Sequence, residues 1–155
     1  RQILEGLRVL HQHEIVHLDL KPENVLRTAD GDVRITDCGL ARVLGDETQL
    51  QTAAGGTRGY MAPEVHTLRF SNKTDIYSLA VMFFVMAAGK LPDITSSTFA
   101  PLEAKDDPDT LELLRFMLKL DSKERPTAAE CAARVEPVAA ALRATPRGES
   151  KHCYS

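Results

Sequence analysis

The sequence is poor in the features that tie a chain to nucleic acid or to a membrane. Its 19 Lys and Arg residues are outnumbered by 22 Asp and Glu residues, and the net charge of −3 argues against nucleic acid or anionic lipid as a partner. The longest apolar run, Ile76–Ala88, is interrupted only by Ser78 and is too short to span a bilayer. This run therefore predicts a buried helix and no membrane partner.

Cysteine is also scarce. The three cysteines, Cys38, Cys131 and Cys153, are odd in number and far apart, which argues against a disulfide framework and favours a reducing compartment. With no secretory pattern in the sequence, we expect a cytoplasmic location, with the nucleus as the open alternative. The chain begins at Arg1, already inside a helical pattern, which suggests a piece of a longer protein.

Hydrophobic spacing predicts a mainly helical fold with one small β-hairpin. Apolar residues at helical spacing predict a first helix from Arg1 to about His13. Two short apolar strands, Val25–Arg27 and Val33–Thr36, flank a turn that contains Asp30-Gly31, which is a hairpin pattern. Residues 108–120 carry enough apolar side chains for a further buried helix.

A last helix is predicted from a capping pattern. Thr127 and Glu130 have the spacing of a capping box, so a helix should start at Ala128. Because proline lacks the N–H that a helix interior requires, this helix should break or kink near Pro137. The polar residues 144–155 are expected to form a disordered tail.

Polar side chains crowd the stretch VHLDLKPENV, just before the hairpin. The two open ends of a hairpin lie side by side, so Asn24 at the entry and Asp37 at the exit should meet, facing the loop that holds Asp19. Amide and carboxylate oxygens suit Mg²⁺, which leaves most of its shell to water and phosphate. Asp19 is then placed to accept a hydroxyl proton, and Lys21 to stabilise a transferred phosphoryl group. The stretch predicts a phosphoryl-transfer site.

An alternative reading starts from the histidines. His11, His13 and His17 have an H-x-H-x-x-x-H spacing and, together with Asp19, could form the metal cluster of a metallohydrolase. No second cluster of ligands follows in the sequence, and His11 and His13 lie near a helix end. We expect His17 to have a structural role instead, packing beneath the turn at Asp37.

Three motifs in order, HLDLKPEN, DCG and GTRGYMAPE, resemble landmarks of the eukaryotic protein kinases. The resemblance covers Arg1 to about Val135. It implies that Asp19 is the catalytic base, Lys21 a phosphate contact, and Asn24 and Asp37 the ligands of Mg²⁺. The cofactors it implies are ATP and Mg²⁺.

Further residues match kinase positions of known role. Leu26 and Thr36 match positions that line the nucleotide pocket. The Glu64 carboxylate, which ends the Ala-Pro-Glu motif, is implied to pair with Arg125. Asp75 resembles the aspartate that opens the central buried helix, although a simple N-cap is an equal alternative.

The substrate class is indicated by Lys21. A Lys two residues after the catalytic Asp and followed by Pro resembles the serine/threonine branch. Thr57 matches the threonine that in this branch touches both the base and this Lys. A protein substrate with a Ser or Thr hydroxyl is therefore implied.

Two positions depart from the kinase pattern. Leu18 stands where the family usually has Arg, and the kinases of myosin light chain and their death-associated relatives, which this loop resembles, also lack that Arg. Phosphorylation at Thr48 or Thr52 is therefore not expected to be the main switch, although Arg42 could offer a weaker anchor. Cys38 replaces the Phe of the metal turn and should leave less packing behind Asp37. We expect Cys38 to be buried and inert rather than redox-sensitive.

The sequence contains no Gly-x-Gly-x-x-Gly loop and no Val-Ala-x-Lys strand. The resemblance therefore implies a kinase C-terminal lobe, residues 1–143, in an α+β fold whose N-terminal lobe is absent. The implied function is a serine/threonine kinase catalytic lobe that is inactive as an isolated fragment. The alternative is a pseudokinase that acts as a binding or scaffold module.

Overall fold

The computed structural model of the chain describes residues 1–45, 55–93 and 108–144. Four helices and four short strands lie in these ranges. In chain order they are α1 (Gln2–Gln12), β1 (Ile15–Val16), β2 (Val25–Arg27), β3 (Val33–Ile35), β4 (Arg42–Val43), α2 (Asn72–Ala88), α3 (Pro108–Met117) and α4 (Ala128–Ala144). Three 3₁₀ helices cover Pro22–Asn24, Pro63–Thr67 and Ser122–Glu124. The chain is helix-rich with small antiparallel sheets, as predicted.

The predicted hairpin is confirmed. Strands β2 and β3 pair antiparallel with Val25 opposite Ile35 and Arg27 opposite Val33. The turn between them closes at Gly31, whose φ of 90° is one that glycine adopts without steric cost. A second antiparallel pair, β1 with β4, places Val16 opposite Arg42. No sequence pattern predicts this second pair, because strands of two residues carry no periodic signal.

Helix α2 is the centre of the core, as the apolar run predicts. It is apolar around its circumference, and a helix of that kind must be covered on all sides. Ser71 caps its first turn together with Thr74, and Gly89 ends it in the left-handed conformation. Helix α3 packs against α2, and α1 packs against α4. In the described part of the chain, no helix is long and apolar enough to cross a membrane.

The capping prediction for α4 is confirmed. Of the two outcomes predicted near Pro137, the break does not occur, and the kink stays a prediction. The Thr127 N–H donates to Glu130 Oε2 at 2.7 Å, and the Glu130 N–H donates to Thr127 Oγ1 at 3.2 Å. The helix nevertheless continues through Pro137 to Ala144. The residues after Pro137 are mostly Ala and Leu, which have high helix propensity. The rest of the predicted tail, residues 145–155, lies outside the described residues.

Candidate active site

Asp19 lies in the loop between β1 and the 3₁₀ helix at Pro22, and Thr57 and Lys21 are among the residues that contact its carboxylate. Asp19 Oδ1 accepts hydrogen bonds from the Thr57 N–H at 2.9 Å and from Thr57 Oγ1 at 2.7 Å. Lys21 Nζ lies 2.9 Å from Asp19 Oδ2 and donates to Thr57 Oγ1 at 2.8 Å. The predicted contact of Thr57 with both Asp19 and Lys21 is confirmed.

This environment keeps Asp19 ionised at neutral pH. Burial alone would raise the pKa of Asp19, but the hydrogen bonds from Lys21 and Thr57 outweigh it, and the net pKa is lowered. The same contact raises the pKa of Lys21, chiefly through its hydrogen bond to Asp19. An ionised carboxylate can accept a hydrogen bond from a hydroxyl group and thereby orient it.

Asn24 is fixed by its amide nitrogen. Asn24 Nδ2 donates to the backbone O of Asp19 at 2.8 Å and to Asp19 Oδ2 at 3.1 Å. The backbone O of Asn24 accepts from the Thr36 N–H at 2.9 Å, which extends the hairpin ladder by one step. Since both side-chain bonds use the nitrogen, the amide oxygen remains available as a ligand.

Asp37 follows directly after that last ladder bond, so it lies at the same open end of the hairpin as Asn24. Its φ of 61° is unusual for a residue other than glycine, and its side chain is exposed. Asp37 Oδ1 accepts from the Gly39 N–H at 3.2 Å. A Cβ at residue 39 would lie 3.1 Å from that same oxygen, so a side chain there would crowd the carboxylate.

A buried carboxylate in α2 holds the Asp19 loop from below. Asp75 is fully buried and accepts from the His17 N–H at 2.9 Å, the Leu18 N–H at 3.0 Å and His11 Nε2 at 2.9 Å. The N-cap of α2 is Ser71, so the alternative interpretation of Asp75 as an N-cap is wrong. Sequence reasoning missed this role of Asp75 as a tether; a charged residue directly before the apolar run Ile76–Ala88 was the available signal.

The histidines do not form a metal cluster. His11 binds Asp75, whereas His13 Nδ1 lies 2.9 Å from the carbonyl O of Val9. His17 is fully buried and its Nε2 lies 3.0 Å from the carbonyl O of Thr36, beneath the turn at Asp37, as the structural interpretation predicts. In the described ranges, no group of three or more His, Cys, Asp or Glu residues could hold a metal ion.

The predicted pair of Glu64 and Arg125 is confirmed. Arg125 Nη1 and Nη2 donate to the two oxygens of Glu64 at 2.5 and 2.7 Å, and Arg125 is fully buried. Burial would raise the pKa of Glu64, but the bonds and charge of Arg125 outweigh it, so the net pKa is lowered. The guanidinium also lies over the ring of Tyr77. This pair ties the segment after Thr57 to the chain beyond α3.

The remaining predicted residues are more exposed than Asn24 and His17. Leu26 is largely exposed on β2, and Thr36 is half-buried beside Asp37. Cys38 is exposed, so the expectation of a buried thiol is wrong. It is one of the residues that line a groove of about 500 Å³ between α1 and the hairpin. Thr48 and Thr52 lie outside the described residues.

Comparison with known proteins identifies relatives of this chain. The family model described as "Protein kinase domain" matches residues 1–135. Serine/threonine-protein kinase 17A of Oryctolagus cuniculus is 36% identical over 149 residues, which cover 84% of this chain and 37% of that protein. Serine/threonine-protein kinase SMU1 of Mycosarcoma maydis is 35% identical, covering 83% of this chain and 19% of that protein.

A plant protein matches as well. The leucine-rich repeat receptor-like serine/threonine/tyrosine-protein kinase SOBIR1 of Arabidopsis thaliana is 38% identical over 129 residues, covering 81% of this chain and 19% of that protein. The chain thus spans well under half the length of each of these three relatives.

Proposed function

The chain belongs to the protein kinase family, and we propose that it is the catalytic lobe of a serine/threonine kinase that transfers the γ-phosphoryl group of ATP to a protein hydroxyl. The observation that carries the proposal is the contact set of Asp19, Lys21 and Thr57. Protein kinases position an acceptor hydroxyl at such an aspartate and neutralise charge on the transferred group with cations.

The residues at the open end of the hairpin fit Mg²⁺ bound with ATP. Asn24 offers an amide oxygen, and the exposed Asp37 offers a carboxylate oxygen. Two protein oxygens are what Mg²⁺ takes when phosphate and water complete its shell. When bound, Mg²⁺ with ATP supplies the reactive phosphoryl group and offsets its negative charge. Leu26 and Thr36 lie on the same hairpin and are the residues we assign to the nucleotide contact.

The chain's own residues have separate tasks. Ionised Asp19 orients the acceptor hydroxyl and takes its proton as the bond from the hydroxyl oxygen to the γ-phosphorus forms and the bond from that phosphorus to the oxygen of the departing ADP breaks. The ammonium of Lys21 stabilises negative charge on the transferred group. Thr57 fixes the carboxylate of Asp19 and the ammonium of Lys21 relative to each other, so neither has to reorganise during transfer.

Serine or threonine is the proposed acceptor. Lys21 and its contact with Thr57 support this choice, as do two of the three relatives, which are described as serine/threonine kinases. The third is described as acting on tyrosine as well, so the acceptor is a point for experiment. We also propose a cytoplasmic location, with the nucleus as the alternative.

Residues 1–143 correspond, in this proposal, to the C-terminal lobe of the kinase domain. The 155 residues contain no glycine-rich loop and no strand lysine that would cover the phosphates. We therefore expect this stretch alone to bind ATP weakly and to transfer phosphate at a negligible rate. Detectable transfer by the 155-residue chain that depends on Asp19 would contradict this expectation.

The test uses a longer polypeptide, in which the upstream part of the kinase domain, with its glycine-rich loop and strand lysine, is joined to these 155 residues. Transfer of labelled phosphate from ATP and Mg²⁺ is measured on Ser/Thr and Tyr peptide pools. Because a positioned general base contributes about 10²- to 10⁴-fold, Asp19→Asn should lower kcat by about that factor. The matched control is Asp30→Asn, which makes the same change in the exposed hairpin turn and should leave kcat unchanged.

A pseudokinase is the second candidate, and the exposed Cys38 favours it. Where an aromatic residue would pack behind Asp37, the structure has a small, solvent-facing thiol. A longer polypeptide that binds ATP measurably but transfers no phosphate to either peptide pool would establish this alternative. Transfer that is equal in the wild type and in Asp19→Asn would contradict the proposed role of Asp19.

A further inference from the structure

Helix α2 is buried along most of its length but not at its C-terminal end. Its ten buried residues lie between Thr74 and Phe84, whereas Met86, in the last turn, is 73% exposed. The helix ends at Gly89, and Leu91, two residues further on, is 48% exposed. Single exposed apolar side chains are common on proteins, so their significance depends on what lies beside them.

Leu91 lies against the segment that carries Thr57. A Cβ at residue 59 would lie 2.8 Å from Leu91 Cδ1 and 3.1 Å from Leu91 Cδ2, so the leucine side chain packs on the main chain of Gly59. The φ of Gly59 is 93°, a value that side chains also disfavour. Because residue 59 has no side chain, Leu91 reaches the backbone itself, and the other half of its surface faces solvent.

This contact is close to the candidate catalytic base. Gly59 is two residues after Thr57, whose Oγ1 lies 2.7 Å from Asp19 Oδ1. Two residues of chain span at most about 7 Å, so Leu91 meets Gly59 within roughly 15 Å of the Asp19 carboxylate. An extended peptide advances about 3.3 Å per residue. A substrate whose hydroxyl is bound at Asp19 therefore brings a side chain that is at most about five residues away to Leu91.

Two cations flank this contact. Arg58 precedes Gly59, Lys90 precedes Leu91, and both cations are exposed. Asp93, the acid closest to Leu91 in sequence, already has an interaction partner. A lysine or arginine of a bound peptide would meet like charges here, whereas an apolar side chain would remove the exposed carbon atoms of Leu91 from water.

We propose that Leu91 is a specificity-determining residue that binds an apolar side chain of the protein substrate, at most about five residues from the acceptor hydroxyl. The proposal rests on the proposed kinase function and adds a substrate class to it. Leu91 is held on Gly59, and Thr57, two residues earlier, is bonded to Asp19. A side chain bound at Leu91 is therefore kept at a set distance from the base.

The experiment measures kcat and the KM for peptide in the longer polypeptide. The peptides share one serine in a common background and carry a single leucine, placed in turn at each position up to five residues before or after the serine. At one position the leucine should lower the KM by about 3- to 10-fold relative to alanine, because it covers the exposed half of Leu91. The kcat should change little. Leu91→Ala should abolish the difference between leucine and alanine.

A charge variant gives a readout that a purely structural role of Leu91 would not move. At the peptide position that the wild type selects, Leu91→Glu should prefer lysine or arginine to leucine. Because Leu91 is half exposed, the change should leave the fold intact. The matched control for Leu91→Ala is Leu120→Ala, which removes the same atoms from a leucine that is 60% exposed beyond α3 and should keep the wild-type preference.

Two results would overturn the proposal. One is a wild type with no preference for leucine at any of these positions. The other is a leucine preference that survives in Leu91→Ala, or a Leu91→Ala variant whose kcat falls while its KM for peptide stays unchanged.

Peptide binding distinguishes failure of this inference from failure of the proposed function. The same peptides, with the serine replaced by alanine, are titrated against the longer polypeptide by fluorescence anisotropy, which requires no phosphate transfer. If no phosphate is transferred but one leucine peptide binds more tightly in a manner that Leu91→Ala removes, the kinase proposal fails and the role of Leu91 stands. If serine is phosphorylated with the same KM in every peptide, the kinase proposal stands and the role of Leu91 is wrong.

Discussion

The Asp19 loop and helix α2 lie in contact but are held in place by different forces. Ten residues of α2 are buried, seven of them hydrophobic, and its backbone is regular. Around the site, by contrast, Leu18 and Asp37 have positive φ values, and polar bonds of defined length hold the side chains. A hydrogen bond is specific in distance and in angle, whereas the hydrophobic effect is non-directional. The apolar core therefore stabilises the fold, and a few polar groups hold the side chains of the candidate site in place.

Two buried polar groups join these regions, and their removal should have unequal effects. Asp75 reaches from α2 to the Asp19 loop, and Arg125 reaches to Glu64 on the segment that follows Thr57. Substitution of each group tests whether it contributes to the stability of the core, to the geometry of the candidate site, or to both.

The largest effect is expected from Arg125→Met. The change leaves the Glu64 carboxylate without its partner and removes the bonds of Arg125 to the carbonyl O atoms of Lys119 and Leu120. Breaking a buried pair in this way costs about 3–5 kcal/mol of the free energy of unfolding. Chemical denaturation of variant and wild type measures the loss.

The control for Arg125→Met is Arg8→Met, which breaks the exposed pair of Arg8 with Glu5 at 2.6 Å. Exposed pairs contribute about 0–1 kcal/mol, so this variant should be nearly as stable as the wild type. Equal losses of unfolding free energy in the two variants would mean that the buried pair of Glu64 and Arg125 stabilises the fold no more than the exposed pair.

Asp75→Asn should have the next largest effect, and it should act on both regions. The change keeps the shape but replaces one acceptor oxygen with a donor that faces the donors of His17 or His11. A buried donor left unsatisfied costs about 1–3 kcal/mol. Because the Leu18 N–H depends on the same carboxylate, kcat of the longer polypeptide should fall as well. A variant that loses stability while keeping its kcat would place Asp75 in the core alone.

A smaller, pH-dependent effect is expected at Glu64. Its pKa is lowered in the folded chain, so its contribution to stability is present above the ordinary carboxyl range and is lost as the pH falls through the lowered value. The stability difference between wild type and Glu64→Gln should therefore shrink as the pH falls below about 4. Denaturation curves at neutral pH and at about pH 3 measure it. A difference that does not change with pH would contradict the lowered pKa.

The smallest effect concerns reactivity and involves no change in stability. Cys38 is exposed at the site, whereas Cys131 is fully buried in the core and burial raises its pKa to about 12. Since the thiolate is the reactive form, an alkylating reagent should modify Cys38 in the folded protein and Cys131 only after unfolding. Mass spectrometry of the two peptides over time checks this. Simultaneous labelling would mean that the core opens as readily as the site.

The contrast between the regions also explains what the sequence could predict. The hairpin and the Thr127 capping box depend on neighbours within a few residues, so local patterns were sufficient. The Asp19, Asn24 and Asp37 set was found through motif spacing and the hairpin. The exposure of Cys38 could not be predicted, because it depends on which elements cover the turn. The positive φ values of Leu18 and Asp37 have no local signature, because these residue types ordinarily avoid them.

The spacing of Glu64 and Arg125 has a consequence for how the chain is made. The two residues are 61 positions apart, and at roughly 5–20 residues per second a ribosome adds Arg125 roughly 3–12 s after Glu64. During this interval the Glu64 carboxylate lacks the Arg125 guanidinium as its partner, and α3 does not yet cover the apolar surface of α2. The nascent chain can therefore close this part of its core only after Arg125 has been added, and until then the apolar side chains of α2 that α3 covers stay exposed.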